Sequence, residues 1–447
     1  MNQQHRFLSS WPEFTRNTFY TLLTKVFILV SGALATIIIA RWLGPEGKGI
    51  YSLIVLIPAL LAMAGDLGLG IANTYYGRTK RYSIEQLTAN SLTQALTIGT
   101  VVTTAFLAYY FILQPKFLES VEAVYIILAC LTVPLKLFTV YLSCIVLGQY
   151  RLSAYNLISL IYNSASVILT AAALIVFNLG IGGMVYAFVL IELTGMIITL
   201  LMLRSHVHIR FGFDFAVFSN LLGYGIRGYI GNLVQFLNYR LDLLMIAFFL
   251  DAASIGYYSV AVAGAEVLFY LPGAVGTVVL ARTPGISVEQ ANSSTPIICR
   301  NTLVISLVSA LFLLIFAHIA VEILFGEEFL PAVMPLWLLL PGAVAMSIYK
   351  VLGNEMAGRG KPGLLVKASL LGLSINIILN LLLIPRLGIE GAAIATTVAY
   401  ILIGFVALVI FSKNTGLAMR ACVFIDANDL RMYKHLITTL RKKNRRG

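Results

Sequence analysis

Ten ionisable side chains fall within long apolar stretches of this sequence: Lys25, Asp66, Lys136, Glu192, Arg227, Arg240, Asp242, Glu266, Lys350 and Glu355. A charged residue at the centre of a membrane-spanning helix costs about 2.5–3.5 kcal/mol on the insertion scale, so it faces a polar cavity or a partner. One stretch concentrates the polar groups. Asn220, Tyr224, Arg227, Gly231, Gln235, Asn238 and Asp242 recur at steps of four and three, which puts them on a single helix face. Such a stripe fits the wall of a water-filled pathway; the alternative is that its small and polar residues hydrogen-bond neighbouring helices. Arg240 points about 200° away from Asp242 at about 100° per residue, so it is expected to pair with another helix. Glu192 and Glu266 are expected either to carry a coupling proton or to bridge a buried lysine such as Lys136.

The elements that must hold these groups are helices. Of the 447 residues, 59% are apolar and 11% charged, against roughly a quarter charged in soluble domains, which excludes a water-soluble fold. Twelve apolar runs are each long enough to span a bilayer: 17–40, 49–70, 88–113, 122–147, 154–177, 181–203, 219–250, 254–280, 298–324, 332–356, 364–385 and 389–411. Backbone in lipid must satisfy its own hydrogen bonds, and runs of this length suit helices rather than barrel strands. The predicted fold is an all-α polytopic membrane protein with about twelve transmembrane helices in two six-helix bundles. The expected divisions are 1–210, 211–412 and a basic tail, 413–447. The first run, long and without a small-residue cleavage site, is expected to stay as a helix.

The net charge of +12 sorts by side. With the amino terminus inside, the cytoplasmic segments hold Arg78, Lys80, Arg81, Arg151, Arg204, Arg210, Arg282, Arg300, Arg359, Lys361, Lys367 and the tail, while outer loops hold only Arg41, Lys48, Lys116 and Arg386. Positive flanks are retained in the cytoplasm, so both termini are predicted there. Lys25 and Arg227 then occupy the cytoplasmic third of their helices, placed to meet an anionic group. A guanidinium suits phosphate by bidentate geometry and a lysine acts as a point charge. Lys25 and Lys350 are also close enough to helix ends to snorkel, and Asp66 and Glu355 lie near such ends.

The chain repeats itself. Residues 39–53 align with 246–260 at a shift of 207, Leu179-Gly180-Ile181-Gly182-Gly183 with Leu387-Gly388-Ile389-Glu390-Gly391 at 208, and Gly148 and Arg151 with Gly358 and Lys361 at 210. Six helices return a chain to its starting side, so the halves form a parallel pseudo-two-fold repeat, an architecture of transporters. The same shift carries Tyr224, Gly231 and Asn238 onto Asn17, Thr24 and Ser31, and the two stripes are expected to face each other. The expected cavity residues are Arg227, Asp242, Gln235, Asn238, Lys25, Tyr224, Thr24 and Ser31, with Glu266, Glu192, Lys136 and Arg240 as coupling or ion-pair residues. Pro58, Pro134, Pro272-Gly273 and Pro341-Gly342 are flexing points or static kinks.

Several chemistries are excluded. No GxxxxGK[ST] phosphate loop occurs, so no ATP hydrolysis is expected. Cys130, Cys144, Cys299 and Cys422 lack CxxC spacing, and His206 and His208 read as solvated on a basic loop, so neither a disulfide framework, a metal nor another cofactor is expected. Short outer loops leave no room for a polymerase or ligase domain, and the basic charge serves the bilayer rather than nucleic acid.

Arg41-Trp42-Leu43-Gly44-Pro45-Glu46-Gly47-Lys48-Gly49-Ile50-Tyr51-Ser52-Leu53, followed by Gly65-Asp66-Leu67-Gly68-Leu69-Gly70, resembles the first-hairpin signature of bacterial polysaccharide flippases. That family shares the multidrug/oligosaccharidyl-lipid/polysaccharide exporter superfamily with lipid II flippases and multidrug antiporters. The resemblance implies a non-enzymatic carrier in the cytoplasmic membrane, moving an undecaprenyl-diphosphate-linked oligosaccharide to the outer leaflet by alternating access. It implies a cationic cavity, a proton or sodium ion as coupling partner, and polysaccharide polymerase machinery as a protein partner. A cation-coupled drug antiporter is the second expectation, although an antiporter should offer an acid on its first helix and this sequence offers Lys25.

Overall fold

Long apolar runs make long helices here, and glycine decides where they break. The computed structural model describes residues 11–204 and 210–426, with side chains from Tyr20 onward apart from residue 22. The first element, α1 (Trp11–Asp66), is two helices joined at Gly44, whose φ of 67° and ψ of −177° no helix contains. There follow α2 (Leu69–Thr79), α3 (Ile84–Leu113), α4 (Ala123–Cys130), α5 (Val133–Gly148), α6 (Leu152–Ala171), α7 (Gly180–Arg204), α8 (Phe215–Phe249), α9 (Ala252–Glu266), α10 (Tyr270–Arg282), α11 (Val288–Phe325) and α12 (Val333–Gly358). The long α13 (Gly363–Thr415) breaks at Gly388, φ 63°, and a short α14 (Arg420–Val423) ends the described chain.

Nine helical stretches among the described residues are long and apolar enough to cross a membrane. Two of them, α1 and α13, are each a pair of helices; α8, with Arg227, Arg240 and Asp242 along it, completes the twelve. The protein is thus an all-helical, multi-pass membrane protein. Its expected runs differ from the helices mainly at their ends. The second run stops at Asp66, because Leu67 (φ 49°) and Gly68 (φ 79°) turn the chain into α2, whose start Asp66 caps by accepting from Gly68 N (3.2 Å) and Gly70 N (3.4 Å). The runs expected at 88 and 298 begin earlier, at capping boxes that satisfy first-turn N–H groups. Ser83 and Gln86 exchange side-chain to backbone bonds, and Ser287 and Gln290 do the same. Helix breaks precede Pro134 and Pro272, whereas Pro58 and Pro341 lie inside unbroken helices. The tail beyond 426, His206, His208 and the Asn17 side chain lie outside the described residues.

Contacts divide the chain into two units, Met1–Leu233 with Ala247–Ser259 and Leu324–Glu328, and Val234–Ile246 with Val260–Ile323 and Phe329–Gly447. In the first, α5 is the axis. Leu137, Tyr141, Leu142 and Ile145 are fully buried against Leu69 and Tyr76 of α2, Leu87 and Leu92 of α3, Leu203 of α7 and Leu221 of α8. Asn73 donates to Ser91 Oγ at 2.8 Å inside this core, an interhelical bond of the kind that links apolar helices. In the second, Val351, Leu352 and Met356 of α12 pack with Leu365, Ala407 and Phe411 of α13 and Cys299 of α11.

The sequence repeat is visible in backbone geometry. Gly180 and Gly388 take φ of 61° and 63° at equivalent positions. Gly148 lies on Thr74, and Gly358 on Thr283; a Cβ added to either glycine would come within 2.6–2.7 Å of its neighbour. Within the first unit, Gly49 and Gly256 are repeat equivalents and make reciprocal contacts. A Cβ on Gly49 would lie 1.7 Å from the Ala252 carbonyl oxygen, and one on Gly256 would lie 2.0 Å from the Pro45 carbonyl oxygen. Only hydrogen fits there. Gly49→Val is therefore expected to lower the thermal midpoint of the purified protein, since overpacking costs about 1–3 kcal/mol. Gly32→Val should leave it unchanged, because nothing lies within 4 Å of that position.

Candidate functional site

In the first unit, α8 is pinned to the turn between α1 and α2 by two glycines. A Cβ on Gly225 or on Gly68 would lie 2.3 Å from the other's carbonyl oxygen, and the Tyr229 hydroxyl donates to Met63 O at 2.7 Å. This approach sets Tyr224 against Tyr75, with rings stacked at 4.1 Å, and edge-on to Tyr76 at 5.7 Å. Tyr75 and Tyr224 are about two-fifths exposed, so the pair forms an accessible aromatic shelf. Arg227, one turn along, is exposed and has no carboxylate within 4 Å among the described residues. Lys25 is likewise exposed without such a partner.

Thr24 and Ser31 require a correction. Expected on a hydrophilic wall, they are 6% and 4% exposed, and the Thr24 hydroxyl donates to Tyr20 O of its own helix at 2.9 Å. A hydroxyl that bonds its own preceding turn packs readily among apolar helices. The first helix thus turns these two residues inward while Lys25, 100° away on the helix by geometry, stays outside.

The remaining charges of this unit are internal. Lys136 Nζ lies 3.5 Å from Glu192 Oε1, which also accepts from the Tyr162 hydroxyl at 3.1 Å. Of the two roles open to Glu192, the bridge to Lys136 is the one observed.

The second unit holds a polar interior around α8. Arg240 and Glu266 form a two-pronged pair, Nη1 to Oε1 at 3.0 Å and Nη2 to Oε2 at 3.4 Å, so Arg240 does turn to another helix. Asn238 and Asp242, expected on a cavity wall, are each 3% exposed. Both α8 residues are drawn into this interior because α13 presents hydrogen-bonding groups to them. Asn238 donates to Ser369 O at 3.1 Å, and its own carbonyl accepts from the Tyr400 hydroxyl at 3.2 Å. Asp242 Oδ1 accepts from Leu243 N at 2.8 Å, and Oδ2 meets the Thr396 hydroxyl at 3.4 Å. The chain continues from Asn376 to Thr396 at 3.2 Å and from Asn380 to Asn376 at 2.9 Å. The side-chain oxygens of Asn238 and Asn380 are buried without a hydrogen-bond donor among the described residues. Asp242, Glu266, Thr396 and Tyr400 also wall a cavity of about 10 Å³, near the size that one water needs. Gln235 is half-buried at the edge of this interior.

Lys350, close enough to a helix end to snorkel, instead turns into the unit. Its ammonium donates to the Tyr239 hydroxyl at 3.0 Å and stands 4.6 Å above the Phe269 ring, a cation held by aromatic faces. Tyr75, Tyr76, Tyr239 and Phe269 were not among the expected site residues. Tyr75 and Tyr76 carry no period that separates them from packing aromatics, whereas Tyr239 stands beside the polar stripe and was a readable signal. Glu355, with Arg359 Nε at 2.8 Å and the Thr283 hydroxyl at 2.6 Å, is an internal junction.

This arrangement of twelve spans defines a class. The fold matches an inward-facing multidrug resistance MATE family transporter of the MOP superfamily (TM-score 0.70, 14% identity, 87% of this chain and 94% of that one). It also matches the lipid II flippase MurJ in an inward closed conformation (TM-score 0.72, 16% identity, 89% and 87%). The polysaccharide biosynthesis protein family matches across residues 38–334, and the chain belongs to that family. Relatives include an uncharacterized membrane protein of Methanocaldococcus jannaschii, 29% identical over 42% of this chain and 38% of its own length. Another is Agl15 of Haloferax volcanii, a probable low-salt glycan biosynthesis flippase, 26% identical over 36% and 35%. The alignments thus span little more than a third of either relative.

The Arg240–Glu266 pair is about one-third exposed, so its loss should cost less than the 3–5 kcal/mol of a fully buried pair. Glu266→Gln is expected to destabilise by about 1–2 kcal/mol, read from denaturation in detergent. Arg240→Met added to it should recover much of that loss; additive losses in the double-mutant cycle would mean that the two side chains act independently.

Proposed function

We propose that the protein is a flippase that moves an undecaprenyl-diphosphate-linked oligosaccharide, a polysaccharide repeat unit, from the cytoplasmic to the outer leaflet of the cytoplasmic membrane by alternating access. The carrying observation is Arg227, an exposed cation on a spanning helix with no carboxylate within 4 Å among the described residues, one turn from the Tyr75–Tyr224 shelf. A guanidinium grips a diphosphate bidentately, and an aromatic shelf offers a flat apolar face to a sugar ring. Lys25, exposed on the first helix of the same unit, supplies a second positive charge. Membership of the polysaccharide biosynthesis family, the glycan flippase among the relatives and the fold shared with a lipid II flippase support the same reading. In this reading the chain is a transporter rather than an enzyme, both termini are cytoplasmic, and polymerase machinery receives the product.

The coupling ion is assigned to the interior of the second unit. Asp242, Thr396, Asn376 and Asn380 bring a carboxylate, a hydroxyl and amide oxygens together in a buried chain, and the buried amide oxygens of Asn238 and Asn380 have no donor among the described residues. Oxygen donors of this kind suit a hard cation, so sodium is the favoured co-substrate and a proton on Asp242 the other.

Deletion of the gene is expected to leave lipid-linked oligosaccharide on the inner leaflet; unchanged surface glycan with altered drug resistance would favour the cation-coupled drug antiporter. Arg227→Ala should abolish transport in reconstituted vesicles without loss of folded protein, and near-normal transport removes Arg227 from the site. Asp242→Asn should abolish the dependence of transport on a sodium or proton gradient while the protein still binds substrate; an unaltered gradient dependence refutes the assignment.

A further inference from the structure

In the first unit, a cavity of about 430 Å³ opens where α2 ends, walled by Arg78, Lys80, Tyr82, Ser83, Gly148 and Gln149. That is large enough for a small-molecule headgroup. Arg78, Lys80 and the adjacent Arg81 are exposed, and none has a carboxylate within 4 Å among the described residues. Arg78 is steadied by the Tyr150 ring, 4.7 Å from its guanidinium carbon, and Arg81 lies 5.8 Å from the Tyr82 ring. Lys80 and Tyr150 both hold left-handed backbone, φ 55° and 61°, where α2 and α5 end, Lys80 N–H bonding Tyr76 O and Tyr150 N–H bonding Leu147 O.

The second unit shows what the same frame looks like when it is self-neutralised. Gly358 lies on Thr283 as Gly148 lies on Thr74. At the shift of 210, Arg359 replaces Gln149 and Glu355 replaces Ile145. Arg359 there donates to Glu355 at 2.8 Å and to Asn292 at 2.8 Å, and Thr283 donates to Glu355 at 2.6 Å. The first unit keeps the cations of its rim and has no acid at the corresponding place.

We propose that this cavity binds a phosphate group, presented by an anionic lipid headgroup, between Arg78 and Lys80. The cavity lies at the end of helices that cross the bilayer and is flanked by Tyr82 and Tyr150, side chains that settle at headgroup depth. Basic pockets at such helix ends take anionic headgroups. Tyr82 of this cavity meets Tyr76 at 5.3 Å, and Tyr76 lies edge-on to Tyr224 at 5.7 Å, so the cavity adjoins the aromatic shelf; the proposal concerns Arg78 and Lys80 and holds whatever the protein transports.

Native mass spectrometry of the full chain, with phosphatidylglycerol or phosphatidylcholine added, tests this. The wild type should retain phosphatidylglycerol several-fold more than phosphatidylcholine, and R78Q/K80Q should lose that preference. K361Q/K367Q, which removes equal charge elsewhere, should keep it. Millimolar inorganic phosphate added in competition separates the sources: displacement assigns the site to free phosphate, and persistence assigns it to the lipid. Equal retention of the two lipids by the wild type, an unchanged preference in R78Q/K80Q, or the same loss in K361Q/K367Q overturns the proposal.

Discussion

A charge within the hydrocarbon layer must be met by an opposite charge, by hydrogen-bond donors or acceptors, or by a polar cavity, and this requirement sorts the intramembrane charges into those met by a carboxylate or polar partner within a unit and those that are not. Glu192 meets Lys136, Glu266 meets Arg240 and Glu355 meets Arg359. Asp66 is met by the N–H groups of Gly68 and Gly70, and Asp242 by Leu243 N–H and the Thr396 hydroxyl. The acids are thus taken up inside the units. Lys25, Arg227 and Lys350 have no carboxylate within 4 Å among the described residues. A formal tally of five positive and five negative charges conceals this imbalance, because it counts paired and unpaired groups alike.

Both units use the same means to hold their helices together: glycines where backbones meet, and hydroxyl or amide side chains where apolar faces alone would slide. The Gly68–Gly225 approach is what brings Tyr224 to Tyr75, so the aromatic shelf is a product of backbone packing. In the second unit the connection from Asp242 through Thr396 to Asn376 crosses from α8 to both arms of α13. The chain of hydrogen bonds from Asp242 therefore reaches both sides of the Gly388 break.

Helix number and repeat were legible because hydropathy and glycine positions are local properties of the chain. The partners of the intramembrane charges were legible only in part. Arg240 could be seen to turn from Asp242, since helical periodicity fixes angles, but nothing in the sequence identifies Glu266 as its partner across a separation of 26 residues. Thr24 and Ser31 show the limit from the other side. Periodicity gives the face on which residues lie, but whether that face meets water or a neighbouring helix depends on packing between distant segments. The capping boxes at Ser83 and Ser287 stand in the sequence as Ser-Ile-Glu-Gln and Ser-Val-Glu-Gln, but they precede the apolar runs at 88 and 298, so hydropathy alone sets both helix starts too late.

The reciprocal glycine contact bears on the origin of the chain. Gly49 touches the residue equivalent to the one that Gly256 touches, so each partner offers the other the same patch. Mutual identity of this sort is what a self-complementary homodimer presents at its symmetry axis. A six-helix ancestor that paired with itself before its gene was duplicated and fused would leave this imprint, and fusion would free each copy to diverge around an inherited point of contact.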